Sequence, residues 1–162
     1  MLIHRYSDSL SREPHRDAIV QATDYATAVA TPRDYLFRTG STKDIHLVFG
    51  VVASGAAKIE LYEGATISGV GTPVPTFRMN RQTVKSTEAL IFHTPTIGAD
   101  GSRIQQLYNA GTGAGGNQSG GQVAAHDDAE WLLKRSTDYI IRIIPSASST
   151  ISITMEWYEV DI

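Results

Sequence analysis

Residues 150–160 read TISITMEWYEV. Ile151, Ile153, Met155 and Trp157 alternate with Ser152, Thr154, Glu156 and Tyr158, a period of two that sends one set to each face of an extended chain. β-branched and aromatic residues also suit a pleated, half-buried surface. The segment is a strand with one face given to a core.

Working outward, the apolar runs 130–134 and 139–144 are separated by Arg135-Ser136-Thr137-Asp138, which predicts a hairpin with a polar turn; a short helix over 127–135 is the alternative. Pro145 and the small residues 146–149 then turn the chain into residue 150. Further back, residues 45–53 read IHLVFGVVA, with Ile45, Leu47, Phe49 and Val51 on one face and Val48 and Val52 on the other. A strand apolar on both faces belongs mid-sheet, covered on both sides. Ser54-Gly55 predicts a hairpin from it into residues 58–63.

The stretch 58–82, KIELYEGATISGVGTPVPTFRMNRQ, begins as an alternating strand with Ile59 and Leu61 opposite Lys58, Glu60 and Tyr62. After Gly64 it becomes a loop punctuated by Gly and Pro, ending in Phe77, Arg78, Met79, Asn80 and Arg81. Two cations and an amide among two large apolar side chains either bind a partner or tie the loop to a sheet. Shorter strands are expected from about Tyr25, over 35–39, over 89–94 and over 104–108.

With about eight strands and no sustained helix to cross between parallel strands, the fold class is all-β. The best architecture is a two-sheet, jelly-roll-like β-sandwich formed by residues 19–162. Residues 1–18, with only Leu2, Ile3, Tyr6 and Leu10 as apolar points, read as an extended N-terminal arm.

The chain has 162 residues, which suits one well-cored domain. Its net charge of -3 supplies no basic surplus for phosphates, so nucleic acid is not an expected partner. No run approaches the ~20 apolar residues of a membrane helix, and the N-terminal residues do not read as a signal peptide. A soluble, non-exported protein is expected. There is no cysteine, which excludes disulfides, thiolate catalysis and thiolate-bound zinc.

His4, His15, His46, His93 and His126 are scattered singly, without ligand spacing. Only His46 and His93, both on predicted strands, have the means to meet in space; no metal or cofactor is expected. No serine sits in a Gly-x-Ser-x-Gly elbow, and Asp127, Asp128 and Glu130 read as a solvated turn rather than a carboxylate pair for sugar cleavage. An enzyme is not expected. Residues 109–121, NAGTGAGGNQSGG, lack the Lys-Ser/Thr closure of a nucleotide loop and read as a loop left free or ordered by a partner; Asn117-Gln118-Ser119 is an incidental sequon. Trp131, Trp157, Tyr62 and Tyr158 suit either core packing or stacking on carbohydrate.

In order along the chain come LYEGATISG, then TP followed by FRMNRQ, LIFHTPTIGADG, GAGGNQSGG, EWLLKRSTDYIIRI and SITMEWYEV. Together these resemble the capsid decoration, or cement, proteins of tailed bacteriophages, over residues 45–162. The resemblance implies a non-enzymatic structural protein of the virion, assembled in the host cytoplasm and placed on the outer capsid surface, where a homotrimer binds the major capsid protein. Candidate contact residues are Arg78, Asn80 and Arg81, with Arg5, Tyr6 and Arg12 in the arm. The alternative is a tail or fibre module that binds a host-surface carbohydrate.

Overall fold

The structure is a computed structural model that describes residues 19–82, 86–109, 122–124 and 130–161, with backbone only for 122–124 and 161. Among the described residues there is no helix, and fourteen strands follow in chain order. They are β1 (Val20–Val29), β2 (Arg33–Arg38), β3 (Lys43–Ala53), β4 (Ala57–Glu63), β5 (Thr66–Gly69), β6 (Thr72–Pro73), β7 (Thr76–Arg78), β8 (Leu90–His93), β9 (Thr96–Ala99), β10 (Ser102–Asn109), β11 (Gln122–Ala124), β12 (Trp131–Leu133), β13 (Asp138–Pro145) and β14 (Ser149–Asp161). All pairings are antiparallel.

One six-stranded sheet, sheet A, runs β11-β3-β14-β1-β7, with β12 also paired to β3. The other, sheet B, runs β10-β4-β13-β2-β8-β6, and β5 with β9 makes a two-stranded ribbon. The two large sheets enclose one core. Sheet A contributes Leu47, Phe49, Val51, Ile153, Met155 and Trp157; sheet B contributes Phe37, Ile59, Leu61, Tyr139, Ile141 and Ile143. Phe37 meets Trp157 edge-on at 5.3 Å between ring centroids. Each such side chain gives ~1.5–3 kcal/mol on burial, so this jelly-roll-like sandwich is held mainly by its interior.

Residues 150–160 behave as their alternation requires. Ile151, Ile153, Met155 and Trp157 are buried, and β14 pairs with β3 and β1 along nearly its whole length. The first strand starts at Val20 rather than near Tyr25, because Val20 and Ala22 are drawn into the core opposite Trp157 and Met155. The strands beyond the expected eight include β5, β6, β7, β9 and β11, of two to four residues each. They are too short to show a period.

Both expected hairpins are corrected. β3 lies in sheet A and β4 in sheet B, so residues 54–56 cross between the sheets. This crossing is bound to the oppositely directed one at 146–148 and the start of β14: Ser54 N donates to Thr150 O, Thr150 N to Ser54 Oγ, and Ser146 N to Ala56 O. Likewise β12 pairs with β3 while β13 pairs with β4 and β2. Residues 134–137 make that corner with Ser136 at φ 50°, and residues 130–135 form no helix. A short polar turn is compatible with a hairpin or an arch; the choice rests on whether the flanking apolar faces meet side by side or across a core.

A third expectation also changes. β3 is indeed mid-sheet, yet only its inward face is buried, while Val48 is half-buried and Val52 is 41% exposed. The arm at residues 1–18 and most of the glycine loop, 110–121, lie outside the described residues.

Candidate functional site

The two sheets present very different outer surfaces. On sheet B, Leu36 and Ile140 point away from the inter-sheet core but are fully buried. The end of the β5–β9 ribbon reaches this side, where Asp100 accepts from Arg142 on the outer face of β13. Gly71 and Gly101 admit the close approach. Both have positive φ, and a Cβ would stand 2.3 Å from His93 O and 2.3 Å from Glu63 O respectively.

Under the ribbon, register aligns Glu60, Arg142 and Asp34 across β4, β13 and β2. Arg142 donates to Asp34 at 2.7 and 3.2 Å and to Asp100 at 2.9 Å twice, with its guanidinium 5.3 Å from the Tyr62 ring. Bonds from Asp100 and Asp34 outweigh burial and raise its pKa further. Glu60, almost wholly buried, accepts from Tyr62 Oη at 2.7 Å and Arg103 at 2.8 Å and pairs with Lys58 at 3.1 Å. Burial pushes this carboxyl up, and those three partners pull it net below the usual value. Planar, charge-assisted bonds of this kind fix geometry as well as adding energy.

Other polar clusters also serve structure. Asp24, Arg33 and Tyr35 close a triangle of bonds at 2.6 to 2.8 Å beside the β1–β2 connection. At the β12–β13 corner, Tyr139 Oη accepts from Lys134 N at 2.8 Å and donates to Glu63 at 3.0 Å. Burial and the Glu63 carboxylate push the Tyr139 hydroxyl up to about 12 against the opposing Lys134 amide. Glu159 accepts from the amides of Glu88 and Ala89 at 2.8 and 3.0 Å and from Thr87 Oγ1, anchoring the 86–89 segment.

Among the described residues, no such layer lies on the outer face of sheet A. Register gives it transverse rows: Phe77, Gln21, Glu156 and Val48 in one; Tyr158, His46 and Leu132 in the next; Tyr25, Ser152 and Val52 in a third. Tyr25, Phe77, Leu132 and Val52 are all exposed. His46 stacks on Tyr158 at 4.5 Å, and its Nδ1 lies 2.9 Å from Glu130 Oε1 and 3.1 Å from Tyr158 Oη. A 30 Å³ hollow lies among Ile19, His46, Val48, Glu130, Glu156, Trp157 and Tyr158. It has the volume of about one water. This is a broad, shallow surface suited to a macromolecule rather than a small substrate.

At one border of this face the loop flagged in the sequence divides by alternation. Phe77, Met79 and Arg81 are exposed, whereas Arg78 and Asn80 are half-buried. Arg78 Nη2 donates to Ser86 O at 2.9 Å, Asn80 Oδ1 accepts from Gln82 N at 3.0 Å, and Met79 N donates to Ile19 O at 3.0 Å. Arg81 sits over the Phe77 ring at 5.3 Å. Arg78 and Asn80 therefore hold the loop while Phe77, Met79 and Arg81 present it. Alternation continued from β7 through this loop was the signal that separates them. The other contact candidates, Arg5, Tyr6 and Arg12, lie outside the described residues.

His46 and His93 are not brought together. They stand in different sheets, and among the described residues no group of three or more His, Asp or Glu side chains is arranged for a metal ion. Asp127 and Asp128 lie outside the described residues, and their neighbour Glu130 faces His46. Of the aromatics weighed for stacking on sugar, Trp157 is core, Trp131 packs against the core, Tyr62 binds Glu60 and Tyr158 stacks on His46.

No family model matches the chain, and neither the curated proteins nor the solved structures contain a match.

Proposed function

We propose that the protein is a non-enzymatic structural component of a bacteriophage virion, which decorates the outer capsid surface by binding the major capsid protein as a homotrimer. The observation that carries this reading is the outer face of sheet A, where, among the described residues, Tyr25, Val52, Phe77 and Leu132 stand exposed on a body otherwise tied by buried apolar contacts and ion pairs. Apolar and aromatic side chains on a stiff sheet meet a partner with little ordering cost. Repeated weak contacts from a symmetric oligomer then add through high effective concentration, as a shell cement requires.

The test is co-sedimentation of purified protein with the mature and immature shells of its phage, scoring bound copies and the temperature of DNA release. Saturable binding that raises the release temperature is expected. Absence of binding to either shell sinks the proposal. A variant lacking residues 1–18 should bind more weakly; unchanged binding would remove the arm from the contact.

A further inference from the structure

The bare face of sheet A has two unlike borders. At the β7 border stand Phe77, Met79 and Arg81, and among the described residues Arg81 has no carboxylate partner. At the opposite border, beside β12, stand the carboxylate of Glu130 and the side chain of Leu132, which is 63% exposed. We propose that copies of this chain join head to tail through these borders and close into a ring.

Levels match across the sheet. Phe77 pairs with Gln21, Gln21 with Glu156 and Glu156 with Val48. Trp131 pairs with Leu47, so Glu130, the residue before it, falls at the level of Val48. Met79 is bonded to Ile19, next to Val20 in β1, and lies at the level of Tyr158 and His46; Leu132 pairs with His46. A neighbour displaced straight across the strands therefore brings Phe77 and Arg81 to Glu130 and Met79 to Leu132, without sliding along them.

Charge selects this arrangement over a two-fold one. Head to tail, the Arg81 cation meets the Glu130 carboxylate; either border against itself sets Arg81 against Arg81 or Glu130 against Glu130. Like-charge contacts are strongly disfavoured at an interface. β7 and β12 have three residues each, too short to extend the sheet into a neighbour. The contact is instead made by side chains at the two borders, a heterologous contact that closes into a ring where its rotation allows.

The ring rests on the trimeric reading above and supplies its interface. Because the natural chain has no cysteine, disulfide trapping reads it directly. In the full-length Met79→Cys/Leu132→Cys double variant, oxidation should give covalent dimers and a closed trimer, while each single variant stays uncrosslinked. No cross-link in a double variant that melts like the wild type overturns the interface. Cross-linking of a single variant overturns the head-to-tail order, and an open ladder beyond trimer overturns closure.

Charge reversal is the second measurement. Arg81→Glu and Glu130→Arg should each weaken association at least tenfold in sedimentation equilibrium, and combining them should restore most of it. Loss of the Glu130–His46 contact alone predicts no such rescue, so its absence counts against the ring. The two levels of proposal separate cleanly: wild-type protein that binds shells yet is monomeric removes the ring and leaves the capsid role. A trapped ring that binds no shell does the reverse.

Discussion

Ile140 and Val52 both point away from the core between the sheets, and their surroundings are opposite. Ile140 is fully buried beneath the β5–β9 ribbon, in a layer closed by the bonds of Arg142 to Asp34 and Asp100. Val52 faces outward among Ser152 and Tyr25 with nothing above it among the described residues. Each sheet has a largely apolar inner face; what differs is that, among the described residues, outward apolar side chains are buried on sheet B and exposed on sheet A.

The contrast is sharpest in what truncation does. Ile140→Ala should leave a cavity under the ribbon and lose about 2–5 kcal/mol in urea unfolding; a loss under 1 kcal/mol would mean that the ribbon does not seal that face. Arg142→Ala strands two partly buried carboxylates and should cost about 3 kcal/mol, measured the same way. Arg142→Lys should recover only part, because an ammonium lacks the fork that serves Asp34 and Asp100 together.

Acid should weaken the outer side of sheet B. The Glu60 carboxyl is held below its ordinary value of 4.5 in the folded state, so its contribution is present above pH 4.5 and is lost as pH falls through the folded pKa. Glu60→Gln should flatten the decline of stability below pH 4.5, and an unchanged slope would remove Glu60 as a contributor. At the other extreme the Tyr139 hydroxyl, raised from 10.0 to about 12, keeps its proton longer folded than unfolded. Stability should therefore fall as pH rises from 10.0 to about 12, and Tyr139→Phe should make that limb shallower.

The smallest effect belongs to the bare face. Val52→Ser should change the stability of the isolated chain by no more than about 0.5 kcal/mol. A loss comparable with that of Ile140→Ala would show that Val52 is covered after all, and would end the contrast between the faces.

Where the sequence was legible, one period carried it. The alternation at 150–160 identified the strand and its inward set of Ile151, Ile153, Met155 and Trp157. It was equally informative over 58–63, where Ile59 and Leu61 are core residues. It was silent on partners: the turns after Ala53 and Leu133 look like hairpin turns in one dimension and are arches in three. Val48 and Val52 read as buried because an apolar side chain carries no record of whether the cover is its own chain. At the candidate site, the sequence drew attention to residues 77–81 but favoured the polar ones. Alternation carried on from β7 through the loop would have separated Arg78 and Asn80, which hold it, from Phe77, Met79 and Arg81, which project, as the loop's bonds do.

The sequence by itself determined that this is an all-β sandwich without cysteine chemistry, since side-chain period and composition are local properties of a chain. Tertiary structure alone decided which strands are neighbours, that Leu36 and Ile140 are buried on the outer side of sheet B, and that Tyr25, Val52, Phe77 and Leu132 are exposed on that of sheet A. Those outcomes depend on contacts between residues far apart in sequence, where the energy of matching one apolar face to another outweighs any preference a turn expresses alone.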